Sequence, residues 1–398
     1  MKRLLIALVF LGWATAQSQE IPDSWPGVLE KARGQTVYFN AWAGDENTNA
    51  FIAWVGARVR EAYGVELKHV KITLTSEAVA RVVAEKAAGR HTGGSIDLIW
   101  INGENFLAMK EQGLLFGPFT QRLPNISLVD TVGKPTTVID FTVPVDGLES
   151  PWRMAQIVYA YDSARLQNPP RSIPAMLDWA RRNPGRLTHP QIRNFLGSTF
   201  LKQALQELAD DPRVLLAPAT EANFIPVTAP LWRWYEQLKP VMWRKGEQFP
   251  ETGPAMRQLL ADGEIDIMIS FNPNEASTAI GKGILPDSVR TFVLAKGTIG
   301  NTSFVAIPTN AAHKEGAMAI ANFLLSPESQ AHAMHPNTMG NFTVLGLNRL
   351  TPADRKRFED LPRGVATLSA AELGRPLPEP HPSWMNRIVD EWERRYAK

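Results

Sequence analysis

Apolar residues recur along this chain with two alternating periods, and the alternation predicts the secondary structure. Runs rich in β-branched and aromatic residues, such as 35–42 and 65–72, are typical of buried strands. Between these two runs, Ile52 and Val55 begin a helical repeat that stops at Gly64. Further strands are predicted at 96–101, 155–162, 264–271, 288–294 and 301–308, and further helices at 76–89, 104–113, 173–185, 197–210, 229–243, 253–263 and 313–334.

Two of the predicted strands share one pattern. GSIDLIWINGEN (94–105) and GEIDIMISFNPN (263–274) both start Gly-x-Ile-Asp, continue through apolar residues and end at an asparagine. Alternating strands and helices predict an α/β fold with mainly parallel sheets flanked by helices. Because ligands of open parallel sheets lie beyond the carboxyl ends of the strands, the two Asn-rich loops are expected to line one cleft. The alternative is that Gly-x-Ile-Asp is only a common way to start a buried strand.

The first residues have the pattern of an export signal. Lys2 and Arg3 precede an apolar run at 4–13, and Ala14-Thr15-Ala16 is a small-x-small cleavage site. We therefore predict a signal peptide over 1–16. A short membrane anchor is the alternative, although the run is shorter than the roughly 18 residues of a membrane-spanning helix.

Composition narrows the class of protein. The 398 residues correspond to about two domains, and 44% hydrophobic content is enough for sizeable cores. Cleavage after Ala16 would lower the formal net charge from +2 to zero, which argues against a nucleic-acid partner. The chain has no cysteine, so it has no disulfide and no lipid attachment site. These features predict a periplasmic protein that is not a lipoprotein.

Two segments carry a family resemblance. DLIWINGENFLAMKEQGLL (97–115) and NTSFVAIPTNAAHKEGAMAIANFLLSPESQ (301–330) resemble the extracytoplasmic solute-binding proteins of ABC importers, in the iron-, polyamine- and thiamine-binding group. The resemblance implies two lobes that are joined by crossover strands and close like a hinge around a small-molecule ligand. It also implies a monomer that delivers this ligand to an ABC permease in the inner membrane. The implied divisions are lobe I at 17–150 and about 300–345, lobe II at 151–299, and a helical tail at 346–398.

The resemblance also implies a ligand site at the strand ends. By position, its ligand-binding residues would be Trp42, Asp45, Asn47, Asn102, Glu104, Asn105, Trp152, Phe195, Ser198, Asn272, Asn274, Asn301 and Thr302. Trp42 and Trp152 could stack on a cationic or flat ligand, although both could equally be packing residues.

The charges near these loops point to the kind of ligand. The acids Asp45, Glu46, Glu104 and Glu149 outnumber the nearby bases Arg153 and Arg193, which favours a cationic solute. In contrast, the backbone N–H groups at 197–199 would form a helix N-terminus suited to an anion. A zwitterionic solute would satisfy both features. Solvated loop carboxylates and ordinary helix capping are the alternatives.

Motifs for catalysis and cofactors are absent from the sequence. There is no His-Glu-x-x-His, no Gly-x-Ser-x-Gly, no P-loop and no cysteine nucleophile. We therefore predict a binding protein without enzymatic activity, metal or cofactor. The alternative is a periplasmic hydrolase that uses cleft carboxylates such as Asp45 and Glu104 as acid and base. A role in presenting ligand to a chemoreceptor cannot be separated from transport by sequence.

Overall fold

The structure, a computed structural model, describes residues 21–397. The predicted signal peptide at 1–16 lies outside the described residues. The strands are β1 (Thr36–Trp42), β2 (Glu66–Ile72), β3 (Leu98–Ile101), β4 (Ile139–Asp140), β5 (Val143–Pro144), β6 (Glu149–Gln156), β7 (Val158–Asp162), β8 (Ile267–Ser270), β9 (Val289–Phe292) and β10 (Gly300–Ala306). The α-helices are α1 (Trp25–Ala32), α2 (Glu46–Tyr63), α3 (Thr75–Ala87), α4 (Gly103–Glu111), α5 (Ile173–Arg182), α6 (Phe195–Leu208), α7 (Glu221–Leu238), α8 (Gly253–Ala261), α9 (Glu275–Gly281), α10 (Lys314–Leu324), α11 (Pro327–Met334), α12 (Pro352–Glu359), α13 (Ala370–Leu373) and α14 (Pro382–Tyr396).

The first sheet has the strand order β2-β1-β3-β10-β6. β1 pairs in parallel with β2 and β3, as predicted, whereas β10 runs antiparallel to both β3 and β6. Apolar clusters cover both faces, with α1, α2 and α10 against one face and α3 and α4 against the other. Because it is covered on both sides, β3 is buried along its whole length. We call these layers the first lobe.

The second sheet has the order β8-β7-β9, and both pairs are antiparallel. The parallel pairing predicted for each lobe therefore describes only part of the first sheet. The helices α5 to α9 and α14 surround this second sheet, and their apolar residues form one large core with it. We call these layers the second lobe.

The predicted strand at 155–162 is two strands in different sheets. β6 ends at Gln156 in the first sheet, and β7 begins at Val158 in the second. Between them, the Ile157 N–H donates to the carbonyl of Ile299, 2.9 Å away, where the chain returns toward β10. The lobes are therefore joined at 156–158 and 298–300, and the predicted boundary at 150/151 falls inside β6.

The C-terminal segment lies across these crossovers. Residues 364–381, which we call the tail strap, place the Leu377 N–H 2.8 Å from the Thr298 carbonyl and the Leu377 carbonyl 3.1 Å from the Gly300 N–H. Beyond the strap, α14 buries Trp384 and Trp392 in the core of the second lobe. The tail thus packs on the second lobe and on the connection between the lobes.

The Gly-x-Ile-Asp repeat has the same backbone role in both lobes. The Asp97 N–H donates to the Tyr38 carbonyl (3.1 Å), and the Asp266 N–H donates to the Arg186 carbonyl (2.9 Å). The side chains differ, because the Asp97 carboxylate accepts from backbone N–H groups whereas that of Asp266 pairs with the Arg186 guanidinium. No helix in the described part of the chain is both long and apolar enough to cross a membrane.

Candidate functional site

A buried ion pair lies where the two lobes meet. The Lys202 ammonium on α6 is 2.7 Å from a Glu379 carboxylate oxygen in the tail strap, and each side chain is 1% exposed. Two phenyl rings face this ammonium: Phe141 of the first lobe at 4.7 Å and Phe195 of α6 at 5.1 Å. Such short distances between a cation and aromatic rings are favourable in a site without water.

Predicted site residues surround this pair. The Asn301 amide donates to the second Glu379 oxygen (2.9 Å), and Asn105 donates to Glu104 (2.8 Å). Burial raises the pKa of Glu104, and Glu379 acts in the same direction, whereas the nearby Lys202 opposes it. We define the lysine cluster as Lys202, Glu379, Glu104, Asn301, Phe141 and Phe195.

Asn102 and Thr302 hold the first-lobe side of this cluster in place. The Asn102 amide donates to the Thr302 carbonyl, and the Thr302 hydroxyl lies 2.9 Å from that of Thr136. Asp140 accepts from the Gly103 N–H, and burial raises the pKa of Asp140 well above its usual range. The loop after β3 is therefore fixed by hydrogen bonds to its neighbours.

A second cluster, of tryptophans around an arginine, lies within the first lobe. The Arg153 guanidinium is 4.2 Å from the centre of the Trp100 ring and 5.1 Å from that of Trp152. Trp100 meets Trp152 and Trp42 edge-on, with ring centres 5.1 and 6.4 Å apart. We define the tryptophan–arginine cluster as Trp42, Trp100, Trp152 and Arg153.

Arg153 has few polar partners. It donates to the Ser303 hydroxyl and to the Asn341 side chain, each at 3.2 Å. Within residues 21–397 no carboxylate forms an ion pair with Arg153. Asp45 is close enough to favour the charged form of the guanidinium. Burial lowers the pKa of Arg153 to about 10, so the group remains charged at neutral pH. Because a guanidinium has five N–H donors, several are left for another acceptor.

The turn after β1 brings Asp45 to this cluster. A side chain at Gly44 would come within 2.3 Å of the Trp42 ring, so the backbone can pass over the indole only because this residue is glycine. Asp45 then caps α2 by accepting from the Thr48 N–H (2.9 Å).

The remaining asparagines connect the lobes directly. Asn47 accepts from the Lys282 ammonium, and the Asn272 amide donates to the Met339 carbonyl (2.6 Å). Asn274 donates to the Gly340 carbonyl, next to the Asn341 that holds Arg153. The structure therefore shows the lobes in contact. Asn341, the residue after Gly340, links this contact to Arg153 of the tryptophan–arginine cluster.

Ser198 lies between Phe195 and Lys202 on α6, and its hydroxyl donates to the Phe195 carbonyl (3.0 Å). α6 begins at Phe195, two residues before the predicted start, because Asn194 caps it. The N–H groups of Gly197 and Ser198 already donate to the Asn194 carbonyl, at 2.9 and 3.1 Å. The prediction that 197–199 offers free N–H groups to an anion is therefore wrong.

Other predicted placements also differ from the structure. Glu149 is fully buried in β6 rather than in a cleft loop, and Arg193 pairs with Glu393 on the surface. Trp152 is part of strand β6 and 1% exposed, stacked against Phe51 with ring centres 6.0 Å apart. Glu149 therefore does not add to the predicted excess of acid in the cleft. Burial also makes a second acid, Glu104, easier to protonate.

Lys202, Glu379 and Arg153 are not among the ligand-binding residues predicted from the sequence. Lys202 is seven residues after Phe195 on the same helix, a spacing that places both on one face. Arg153 directly follows a predicted site residue. For Glu379 no local signal exists, because its partners lie in distant segments of the chain.

Comparison with known proteins identifies the family. The sequence model described as bacterial extracellular solute-binding protein matches residues 54–345. The chain belongs to this family. Protein YnjB of Escherichia coli (strain K12) is similar to this solute-binding protein, with 39% identity over 376 residues and 94% of each chain covered.

Solved structures share the fold of the solute-binding protein. The periplasmic binding protein AfuA from Actinobacillus pleuropneumoniae aligns with a TM-score of 0.63 and 14% identity, over 91% of this chain and 99% of that one. The spermidine/putrescine substrate-binding protein PotD from Streptococcus pneumoniae aligns with a TM-score of 0.60 and 15% identity, over 92% and 100%. The predicted two-lobed α/β fold is confirmed. The predicted role as the substrate-binding component of an importer is also confirmed and fits better than the hydrolase alternative.

Proposed function

We propose that this solute-binding protein captures a small solute with an anionic end and a cationic or polar end, and closes its two lobes around it. It then delivers the unaltered solute to an ABC permease. The observation that carries this proposal is Arg153, a half-buried guanidinium on two indole faces without an ion-pair partner in the described chain. A carboxylate or phosphate is the natural acceptor for its remaining N–H groups.

The opposite end of the solute would lie toward the acids of the first lobe. Asp45 lies near Arg153, and Glu104 lies near the buried Lys202–Glu379 pair. We place the ligand between these groups, in contact with predicted residues such as Trp42 and Asn102. The fold alone does not decide ligand charge, since AfuA was solved with fructose-6-phosphate and PotD is named for spermidine and putrescine. The charge argument therefore depends on Arg153.

The remaining details of the proposal follow from the sequence. The mature protein is a periplasmic monomer released by cleavage after Ala16, without a lipid anchor and without catalytic activity. Its first lobe is expected to end near Gln156 and to resume near Gly300, where the chain leaves and re-enters the first sheet. Recovery of the ligand unaltered after long incubation would distinguish binding from hydrolysis.

The test is ligand binding by Arg153→Met. Refolded, ligand-free protein is titrated with ω-amino acids, thiamine phosphates, polyamines, sugars and ferric ion, and the shift in unfolding temperature is recorded. We expect a solute with a carboxylate or phosphate to bind, and Arg153→Met to weaken it roughly ten- to hundredfold.

Arg244→Met is the matched control. Arg244 also stacks on a tryptophan, Trp243, at 4.4 Å, but on the second lobe and away from both clusters. Its loss should leave affinity unchanged. Tight binding of a polyamine that is equally strong in Arg153→Met would overturn the proposed anionic end of the ligand, while leaving the family role intact.

A further inference from the structure

The first lobe contains a cavity that is separate from both clusters. Its volume is about 350 Å³, and it lies between strand β6 and the segment 120–147. Val129, Val138 and Val145 provide apolar wall, whereas Thr137 and Glu149 are polar. This volume is within the range of small-molecule sites, roughly 300–1,000 Å³.

A buried acid lines this cavity. Glu149 is 0% exposed, and neither carboxylate oxygen has a hydrogen-bond partner within residues 21–397. Burial raises the pKa of Glu149 well above its usual range, and Asp140 acts in the same direction, whereas Lys110 opposes it. A buried carboxylate without a partner is costly, and a cation beside it would remove most of that cost.

The lining of the cavity separates it from the proposed cleft site. Arg153, on which the cleft proposal depends, lies four residues after Glu149 on β6, which corresponds to about 13 Å of extended strand. None of the residues that line the cavity belongs to the lysine cluster or to the tryptophan–arginine cluster. A ligand in this cavity therefore would not occupy the proposed cleft site.

The cavity reaches the protein surface at one side. Val138 is 41% exposed, and the Asp146 side chain is 63% exposed while it pairs with Lys110. Behind this rim, Lys134 fixes the wall segment by donating to the carbonyls of Thr343 and Leu345, each at 2.8 Å. A small molecule could enter past Val138 without displacing the sheet.

We propose that this cavity is a second binding site, which takes a small organic cation with an alkyl body and uses Glu149 as its counter-ion. The valine walls suit a short alkyl chain, and the volume is many times the roughly 30 Å³ that one water occupies in the liquid. A metal ion fits less well, since the described residues contain no group of three His, Cys, Asp or Glu side chains able to hold one.

The experiment uses n-butylammonium as the probe and n-butanol as its uncharged counterpart. Binding to the full-length mature protein is measured by saturation-transfer NMR, and each variant is checked for native thermal unfolding. We expect butylammonium to bind and butanol to bind far more weakly. Glu149→Gln should weaken butylammonium roughly ten- to hundredfold, because the charged hydrogen bond is lost.

Three further variants make the test specific. Val138→Trp should block binding by filling the entrance without changing charge. Asp146→Asn, the exposed acid on the rim, should have little effect, and Arg153→Met in the cleft should have none. Absence of butylammonium binding, equal binding by Glu149→Gln, or loss of binding in Arg153→Met would each overturn the second site. The last result would assign the probe to the cleft instead.

Discussion

The lysine cluster and the tryptophan–arginine cluster both hold a cation near the boundary between the lobes, but they satisfy it differently. Lys202 has a carboxylate partner, Glu379, at 2.7 Å and almost no exposed surface. Arg153 has two indole faces and two neutral hydrogen-bond acceptors instead. The first arrangement neutralises the charge within the protein, whereas the second leaves it available.

This difference separates a structural role from a recognition role. A cation that is already paired in the interior gains little from a ligand, and replacing it should lower the free energy of unfolding. A cation that is held only by aromatic rings and neutral acceptors can still bind an anionic ligand, and replacing it should weaken ligand binding. The lysine cluster also comes from five separate segments of the chain, whereas Trp42, Trp100, Trp152 and Arg153 all lie in the first sheet.

The largest expected effect on stability is that of Lys202→Met. The variant leaves Glu379 buried without its cation, so the free energy of unfolding should fall by about 3–5 kcal/mol. Urea-induced unfolding followed by circular dichroism measures this change. In the double variant Lys202→Met/Glu379→Leu, most of the loss should be recovered, because no charge remains buried.

Arg213→Met is the control for this pair. Arg213 forms an ion pair with Asp211 in which its side chain is 85% exposed, so its loss should leave the free energy of unfolding almost unchanged. If Lys202→Met were as mild as this exposed control, the structural role of the lysine cluster would be wrong.

In the other cluster, a comparable loss of stability is expected for one of the two tryptophans at its ends and a smaller loss for the other. Trp152→Ala should cost about 3–5 kcal/mol, because it removes a fully buried ring. Trp42 is only half-buried, so Trp42→Ala should cost clearly less and should weaken ligand binding instead. Parallel urea unfolding and ligand titration of both variants measure the contrast. Equal losses of stability would show that the cluster is one packed core rather than a core with an open edge.

The smallest effect is expected from Glu104→Gln and depends on pH. Since burial raises the pKa of Glu104 in the folded protein, the native state resists ionisation. The wild type then loses stability as pH rises above the ordinary glutamate range. The variant should therefore unfold at a slightly higher temperature than the wild type at pH 7, and at the same temperature at pH 3.5.

Glu46→Gln provides the matched control, because Glu46 is exposed in the first turn of α2. Glu46→Gln should not unfold at a higher temperature than the wild type at pH 7. A Glu104→Gln variant that is less stable than the wild type at pH 7 would mean that Glu104 is charged and paired with Lys202.

The sequence predicts much of the first lobe because local patterns decide it. β1, α2, β2 and α3 each follow one clear period, so their positions agree with the structure within a few residues. The junction at Ile157 could not be predicted in this way. The run 155–162 continues through the junction without a glycine or proline, so its pattern does not say which of two sheets each part joins.

The start of α7 shows a second limit. The helix predicted from 229 begins eight residues after the observed start of α7, which contains Pro226 and Pro230, residues that disfavour a helix interior. The structure begins this helix at Glu221, where Thr220 and Asn223 form a capping box and Phe224 packs near Trp384 of α14. A contact with a helix about 160 positions later cannot be read from the local pattern.

The candidate site shows the same division. Asparagines follow the predicted strands at 96–101 and 264–271 and could be located from local patterns, whereas Glu379 contacts Lys202 and Asn301 only because the tail strap returns to the crossover. Glu149 shows the opposite case, since its chemistry suggested a cleft acid and its strand position buries it.

The tail strap has a consequence for how the second lobe folds. The connection between the lobes needs Leu377, and the second core needs Trp384 and Trp392, although most of that core comes from residues between 157 and 299. Contacts between residues far apart in the sequence form slowly, because a long stretch of chain must close into a loop before they are made. The second lobe is therefore expected to fold only when the strap and α14 pack against it, rather than segment by segment.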